Sequence, residues 1–208
     1  MINLIIAVII AYLVGSIPFG YLAGKLLKGT DIRKHGSGNI GATNVFRTVG
    51  KIPGICVLSL DMAKGYFAAG FLAQLFLNYG VAAGDNLFRI MLGVSCVCGH
   101  TWTVFLKFKG GKGVATAFGV MMALAPKCIG AGMLLWLCVF VLSHYVSLSS
   151  IAAAVSLPVF ALFFKEPREF IILVIVLSAL IVYRHIPNIR RLMKGEEPKL
   201  AVFSSKKS

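Results

Sequence analysis

Three stretches of the chain gather cations, hydroxyls, amides and glycines with few acids. The first, HGSGNIGATNVFR at 35–47, has Gly36, Gly38 and Gly41, which permit tight turns and close backbone approach to a ligand. Ser37, Asn39, Thr43 and Asn44 add hydroxyl and amide groups, and Arg47 adds a planar fork suited to phosphate. The backbone N–H groups of such a turn can form an anion nest. The second, FLKFKGGKGVAT at 105–116, follows Gly99 and His100. It places Lys112 between Gly110, Gly111 and Gly113, with Thr116 a turn later. No acid occurs from Asn86 to Lys165, so its lysines lack a partner nearby in sequence. Its spacing is not that of a Walker A loop. The third, RHIPNIRRLMKGEEPK at 184–199, brings Arg184, His185 and Asn188 to a helix end, with Glu196 and Glu197 available to its arginines.

Plainer roles stay open for each. The first stretch reads equally as a solvated turn, Lys107 and Lys109 as headgroup contacts, and His100 as a hydrogen-bonded interior histidine. Arg190, Arg191 and Lys194 would hold anionic membrane lipid. Together, though, the donors and cations suit anions, phosphates foremost. Carboxylate clusters of the kind Mg²⁺ needs are missing, and the string Cys96, Cys98, His100 fits neither zinc spacing nor one helix face. No metal and no cofactor are expected, and a Ser-His-Asp triad finds little support.

The elements that must position these stretches are membrane helices. The 208 residues are 58% hydrophobic, and the mean hydropathy is +0.87. Several apolar runs reach the roughly 17–25 residues that cross a bilayer. The expected fold is all-α, a single polytopic integral membrane domain over 1–208. Its most plausible count is seven transmembrane helices, at about 2–24, 53–78, 87–106, 114–129, 131–149, 150–164 and 169–185, the fourth and sixth being short. A formal net charge of +14 would suggest nucleic acid on a soluble protein. Here the cations flank apolar helices, so no nucleic-acid partner is expected. Sixteen of the 21 basic residues fall in 25–51, in 107–112 or from Arg184 onward, while Arg89, Lys127, Lys165 and Arg168 lie on the other side. The positive-inside rule then puts the N-terminus outside, the C-terminus in the cytoplasm and all three polar stretches at one cytoplasmic face.

Asp61 and Lys64 interrupt the second apolar run at i and i+3, on one helix face. Each costs on the order of 2.5–3.5 kcal/mol at mid-helix on an insertion scale, so they are read either as a functional pair facing the interior or as a buried structural pair.

The segments SGNIGATNVFR (37–47), GHTWTVFLKFKGGKGVAT (99–116) and RHIPNIRRLMKGEE (184–197), in this order over the whole chain, resemble the three motifs of the bacterial membrane glycerol-3-phosphate acyltransferases that use acyl phosphate as donor. The HxxxxD motif of other glycerolipid acyltransferases is absent, since Ile40, Phe105, Ser149 and Arg190 stand five residues after the four histidines. The resemblance implies the reaction of acyl phosphate with sn-glycerol 3-phosphate to give lysophosphatidate and inorganic phosphate, the first acylation of phospholipid synthesis, at the cell inner membrane. It also implies a site made of Ser37, Arg47, Gly110, Gly111, Lys112, Gly113, His185 and Asn188. Gly38, Asn39, Gly41, Thr43, Asn44, His100 and Thr116 are taken as further substrate contacts, with Asp61, Lys64 and Glu197 as support. Which motif holds which phosphate is left open. So is the base, with the substrate's own phosphate preferred to His185 or His100, and Ser37 as an acyl-enzyme nucleophile a further option. The rival readings are a membrane transporter of a phosphorylated organic anion, with Asp61 and Lys64 lining its path, and a protein that docks anionic lipid.

Overall fold

A computed structural model describes residues 2–81 and 84–200; Lys206 and Lys207, counted in the charge asymmetry, lie outside the described residues. The regular structure among the described residues is helical. The first apolar run forms α1 (Ile2–Ser16) and α2 (Phe19–Lys28), interrupted at Pro18. Pro18 cannot donate a backbone hydrogen bond, and Lys64 Nζ donates to the nearby Ile17 carbonyl at 3.1 Å. A short α3 (Ala42–Thr48) precedes α4 (Lys51–Phe67), which passes through a π-turn at Ala68–Leu72 into α5 (Ala73–Asn78).

A π-turn loosens the helical ladder. Arg89, on α6 (Asp85–Thr101), donates to the carbonyls of Ala69 and Gly70 there, each at 3.3 Å. Arg89, counted on the cation-poor side, is half-buried and serves these freed carbonyls.

Two helix pairs touch backbone to backbone. A Cβ on Gly15 would strike the Cys96 carbonyl and one on Gly99 the Tyr12 carbonyl, which locks α1 to α6. In the same way Gly65 meets the Thr116 carbonyl and Gly119 that of Met62, so α4 lies flat on α7 (Val114–Leu124). Small residues at crossings are how membrane helices gain packing without a hydrophobic drive.

The second half comprises α8 (Pro126–Ser143), α9 (Val146–Phe163), α10 (Arg168–Arg184) and α11 (Ile186–Met193). Pro158 within α9 has no N–H for the Ala154 carbonyl; Ser178 of α10 donates to that carbonyl instead, at 2.6 Å. Met121, Ile129, Leu157, Leu173 and Leu177 join α7 to α10 in one core cluster.

The expected boundaries shift in two places. Pro126 starts α8, as proline does at a first helical position, so the break expected near 130 falls at Ala125. His144, with φ at +60°, ends α8, so the break expected near 149 falls at 144–145. Among the described residues, five helical runs, α1–α2 and α4–α5 counting as one each, are long and apolar enough to cross a membrane, or six if α10 and α11, bent by 55°, count as one broken span. A count of seven would also need α7, which has 11 residues and reaches only ~16 Å at 1.5 Å per residue, against a hydrocarbon core of ~30 Å. The outer faces are apolar: Leu142 and Leu162 stand 85% and 63% exposed, as lipid-facing positions should.

Candidate active site

The first loop is built around Asn44. That side chain is buried, with its amide nitrogen 3.0, 3.1 and 2.8 Å from the carbonyls of Ile32, His35 and Asn39. Its Oδ1 accepts the Ser37 N–H at 2.9 Å. Gly36 turns at φ +58°, and a Cβ there would collide with Asn44 Oδ1. Asn39 Oδ1 accepts the Gly41 N–H at 2.8 Å, just ahead of α3. Asn44 therefore spends its polar atoms on the loop, and what it presents outward is Ser37, Gly38 and Asn39. Thr43 and Gly41 line the apolar groove described below.

The second loop is moulded on the end of α6. Gly110 N–H donates to the Thr101 carbonyl at 3.1 Å and Gly111 N–H to that of His100 at 3.0 Å. A Cβ at 110 would hit the His100 carbonyl, and one at 111 the His100 ring at Nε2. These two glycines are needed for close approach, and their amides are already used. Arg184 donates to both glycine carbonyls, at 3.3 and 3.0 Å. The anion cradle expected from the glycine turn thus contracts to Lys112 and Gly113, at the start of α7. Thr116 is fully buried and lines neither cavity, so it packs rather than faces a ligand.

The third stretch supplies a relay. Lys112 Nζ donates to Asn188 Oδ1 at 2.6 Å, and Asn188 Nδ2 donates to Glu197 Oε1 at 2.6 Å. Ser147 Oγ reaches the same oxygen at 2.8 Å, and Arg191 Nε reaches Oε2 at 2.7 Å. Arg47 donates to the Pro198 carbonyl at 2.9 Å, while its buried Nε has no partner. The buried His185 has Nδ1 2.7 Å from the Ile181 carbonyl. A carbonyl only accepts, so the proton sits on Nδ1 and Nε2 keeps its lone pair.

Cations outnumber acids here, and the electrostatics show it. Burial lowers the Lys112 ammonium to about 8; Glu197 opposes that shift, and Arg191, Arg47 and Arg184 add to it. Burial likewise depresses Arg47. Burial pushes Glu197 upward, but hydrogen bonds from Asn188, Ser147 and Arg191 outweigh it and hold the carboxyl below its usual range.

Two cavities meet at this cluster. One, of about 390 Å³, is polar and lined by Ser37, Gly38, Asn39, Arg184 and Arg191 among others. The other, of about 420 Å³, is a largely apolar groove between α4, α7, α8, α9 and α10, with Trp136, Phe140, Leu58 and Leu157 on its walls. Ser37, Asn39, Lys112 and Asn188 line both. Arg47, His100, His185 and Glu197 face the groove.

Asp61 lies deeper. It pairs with Lys64 at 2.7 Å and with His100 Nδ1 at 3.4 Å, and all three are buried. This cluster ties α4 to α6 and to the Ile17 carbonyl in the break between α1 and α2, and through His100 it backs Gly111. Arg184, expected at a helix end within reach of a ligand, and Arg191, expected as a lipid contact, both line the polar cavity. Their place in the third motif was the available signal. Ser147, one of three serines within 147–150, gave none.

A helical membrane bundle whose cation-rich pocket opens onto an apolar groove defines a protein that handles anions with hydrophobic tails. The model of the glycerol-3-phosphate acyltransferase family matches residues 5–195. The glycerol-3-phosphate acyltransferase of Desulforamulus reducens is 45% identical over 201 residues, covering 96% of each chain. That of Aquifex aeolicus is 45% identical over 190 residues, covering 91% of this chain and 95% of its own. The crystal structure of PlsY (YgiH), an integral membrane glycerol 3-phosphate acyltransferase, in its glycerol 3-phosphate form matches with a TM-score of 0.86 at 42% identity, over 95% of this chain and 96% of that one. Its lysophosphatidic acid form matches at 0.83, with 42% identity over 95% of each chain. The chain belongs to the glycerol-3-phosphate acyltransferase family and is an integral membrane enzyme of that class.

Proposed function

We propose that this acyltransferase takes its acyl group from an acyl phosphate and delivers it to the 1-hydroxyl of sn-glycerol 3-phosphate, at the cytoplasmic face of the cell inner membrane. The products are lysophosphatidate and inorganic phosphate. The observation that carries this reading is the junction of the polar cavity and the apolar groove at Ser37, Asn39, Lys112 and Asn188. A water-soluble phosphate ester can approach through the first while a lipid-borne acyl chain occupies the second, so the hydroxyl and the acyl carbon meet where the two spaces join.

Two phosphates must be held close together, and their repulsion favours a site rich in cations. Lys112 and Arg184 suit the phosphate of glycerol 3-phosphate in the polar cavity. Arg47 and the side chains of Ser37 and Asn39 suit the acyl phosphate and the oxyanion that forms at its carbonyl. The glycerol oxygen attacks the acyl carbon, the bond from that carbon to the phosphate oxygen breaks, and phosphate leaves. The mixed anhydride carries a good leaving group, so neither a covalent acyl-enzyme nor a metal is required. The proton of the glycerol hydroxyl passes to a substrate phosphate oxygen, whose second pKa lies near 6 as in phosphoserine. His185 Nε2, held with a free lone pair, is the base the protein itself offers.

Contacts as well as charge support the orientation. The Leu200 N–H bonds to the His144 carbonyl at 2.9 Å and Ser147 bonds Glu197, so the turn between α8 and α9 lies at the same end as Lys112 and α11. The path from Lys112 through α7 and α8 therefore goes inward and returns, which supports seven membrane segments with α7 the short one, the N-terminus outside and the C-terminus cytoplasmic. Arg190 and Lys194, exposed on α11, then face anionic headgroups.

The test is a two-substrate assay on detergent-purified protein. Phosphate release from acyl phosphate should depend on added glycerol 3-phosphate, and acyl-CoA should not replace the donor. Uptake of the phosphate ester into vesicles without acylated product would favour a transporter.

A further inference from the structure

The residues lining the apolar groove differ in exposure from one side to the other, which distinguishes an open limb from a buried one. Toward α4 the groove is bounded by Ile55 and Leu58, which are 56% and 43% exposed, so this limb opens to lipid. Behind Trp136 it runs between α7, α8, α9 and α10 and ends among Met121, Ile129 and Leu157, which are 1%, 8% and 6% exposed. Each of these three is the lining residue of its helix furthest along the chain from the shared polar cluster. This limb is blind.

Its depth follows from the helices. On α8 the lining runs from Phe140 to Ile129, and on α9 from Val146 to Leu157; at 1.5 Å per residue both distances are ~16–17 Å. That is about one leaflet of a ~30 Å hydrocarbon core, the natural length of a lipid tail. Trp136, which forms the neck, is held by a hydrogen bond from its indole N–H to Ser150 Oγ at 3.2 Å and by stacking on Phe140. The lower part stays open because residue 132 is glycine. A Cβ there would meet Leu157 Cδ2 at 3.0 Å, the flexible end of a side chain that can yield only toward the groove or into packed core.

We propose that the blind limb measures the acyl chain of the donor, with Met121, Ile129 and Leu157 as the stop and Gly132 as the residue that sets the usable depth. The inference rests on the acyl-phosphate reading given above and adds its chain-length selectivity. Lipid tails are as apolar as the groove wall, so moving a chain from bilayer to groove gains little and discrimination comes from fit. A chain that overruns the stop must bend back through the neck toward the open limb, where its acyl carbon is drawn off the shared polar cluster.

The experiment compares decanoyl phosphate with palmitoyl phosphate on wild-type enzyme, Gly132→Ala, Gly132→Leu and Ile55→Phe, with melting temperature in detergent measured for each. Gly132→Leu should lower kcat/KM for palmitoyl phosphate by about tenfold or more while decanoyl phosphate changes by about twofold or less, as expected for overpacking at one depth. Gly132→Ala should shift the ratio the same way but less, and it decides the matter if the leucine variant loses its melting transition. Ile55→Phe, on the open limb, should leave the ratio of the two donors at its wild-type value. Equal changes for both donors at Gly132, or a shift as large from Ile55→Phe, would overturn the chain-measuring role. If wild-type enzyme transfers from neither acyl phosphate yet remains folded, the donor assignment itself fails and the proposal falls with it.

Discussion

Two charged clusters lie within this bundle, and they are built on opposite plans. Asp61, Lys64 and His100 are buried and closely matched, carboxylate to ammonium at 2.7 Å, with the ammonium also capping the Ile17 carbonyl. Among the described residues, Glu197 is the carboxylate that Lys112, Arg47, Arg184 and Arg191 have beside them, and these cations stand where the two cavities join, whereas Asp61 and His100, already paired, only back the groove wall. A matched pair answers its own desolvation. An excess of cations at the joint of two cavities is satisfied only when an anion arrives. The first cluster therefore reads as structure, tying α1, α4 and α6 together beneath the glycine turn, and the second is where the proposed function puts the substrate phosphates.

The contrast can be broken by substitution. Asp61→Ala leaves Lys64 buried without its carboxylate, and removing one partner of a buried pair costs about 3–5 kcal/mol. The expected outcome is a strongly lowered melting temperature and poor yield, whereas the paired change Asp61→Leu with Lys64→Met should recover most of the stability. Lys112→Ala and Arg47→Ala should do the reverse. Each is expected to lower kcat/KM by about 10²–10³, the range for losing one preorganised charge-stabilising donor, with melting temperature nearly unchanged. If Lys64→Met alone proved silent in stability and fatal to turnover, the division of labour between the clusters would be wrong.

A pH profile sharpens the same comparison. Lys112 is cationic below about 8 and neutral above it, while glycerol 3-phosphate stays dianionic once well above a second pKa near 6. Since kcat/KM reports the free enzyme, it should fall as pH rises through about 8, approaching tenfold per unit. The smallest expected effect is that of Glu197→Gln. Glu197 raises the Lys112 pKa, so its neutralisation should move that alkaline limb to lower pH and cost a few-fold in rate at pH 8, measured as the same kcat/KM series.

The polar motifs were legible in sequence because their chemistry is local: Ser37, Arg47, Lys112, His185 and Asn188 announce themselves by type and by glycine neighbours. What sequence could not separate was contact with substrate from service to the loop. Asn44 offers the same amide as Asn39, yet one is buried on three carbonyls and the other lines both cavities. Gly110 and Gly111 look like a phosphate cradle, but their amides are spent on α6, because the steric reason for glycine came from a helix end that only the fold brings there. Glu197 was read as an arginine partner. Its role as hub for Ser147, Asn188 and Arg191 depends on the tail turning back across α9, which no local pattern encodes. The sequence marks a turn within LAPKCIG at 124–130, and the structure narrows it to Ala125 with Pro126 opening the next helix; the break at His144 was hidden, since an apolar string conceals a turn made by one left-handed residue.

The central claim is that the unmatched cations exist to hold substrate phosphate. It is tested most directly by calorimetric binding of glycerol 3-phosphate to the purified protein in detergent at pH 7, comparing wild type with Lys112→Gln, Arg184→Gln and Lys64→Gln. Affinity should fall about tenfold or more in the first two, in line with the roughly 1.5–3 kcal/mol of a charged hydrogen bond, and stay near wild type in whatever fraction of Lys64→Gln remains folded. Undiminished binding by Lys112→Gln and Arg184→Gln, with both variants folded, would contradict the account.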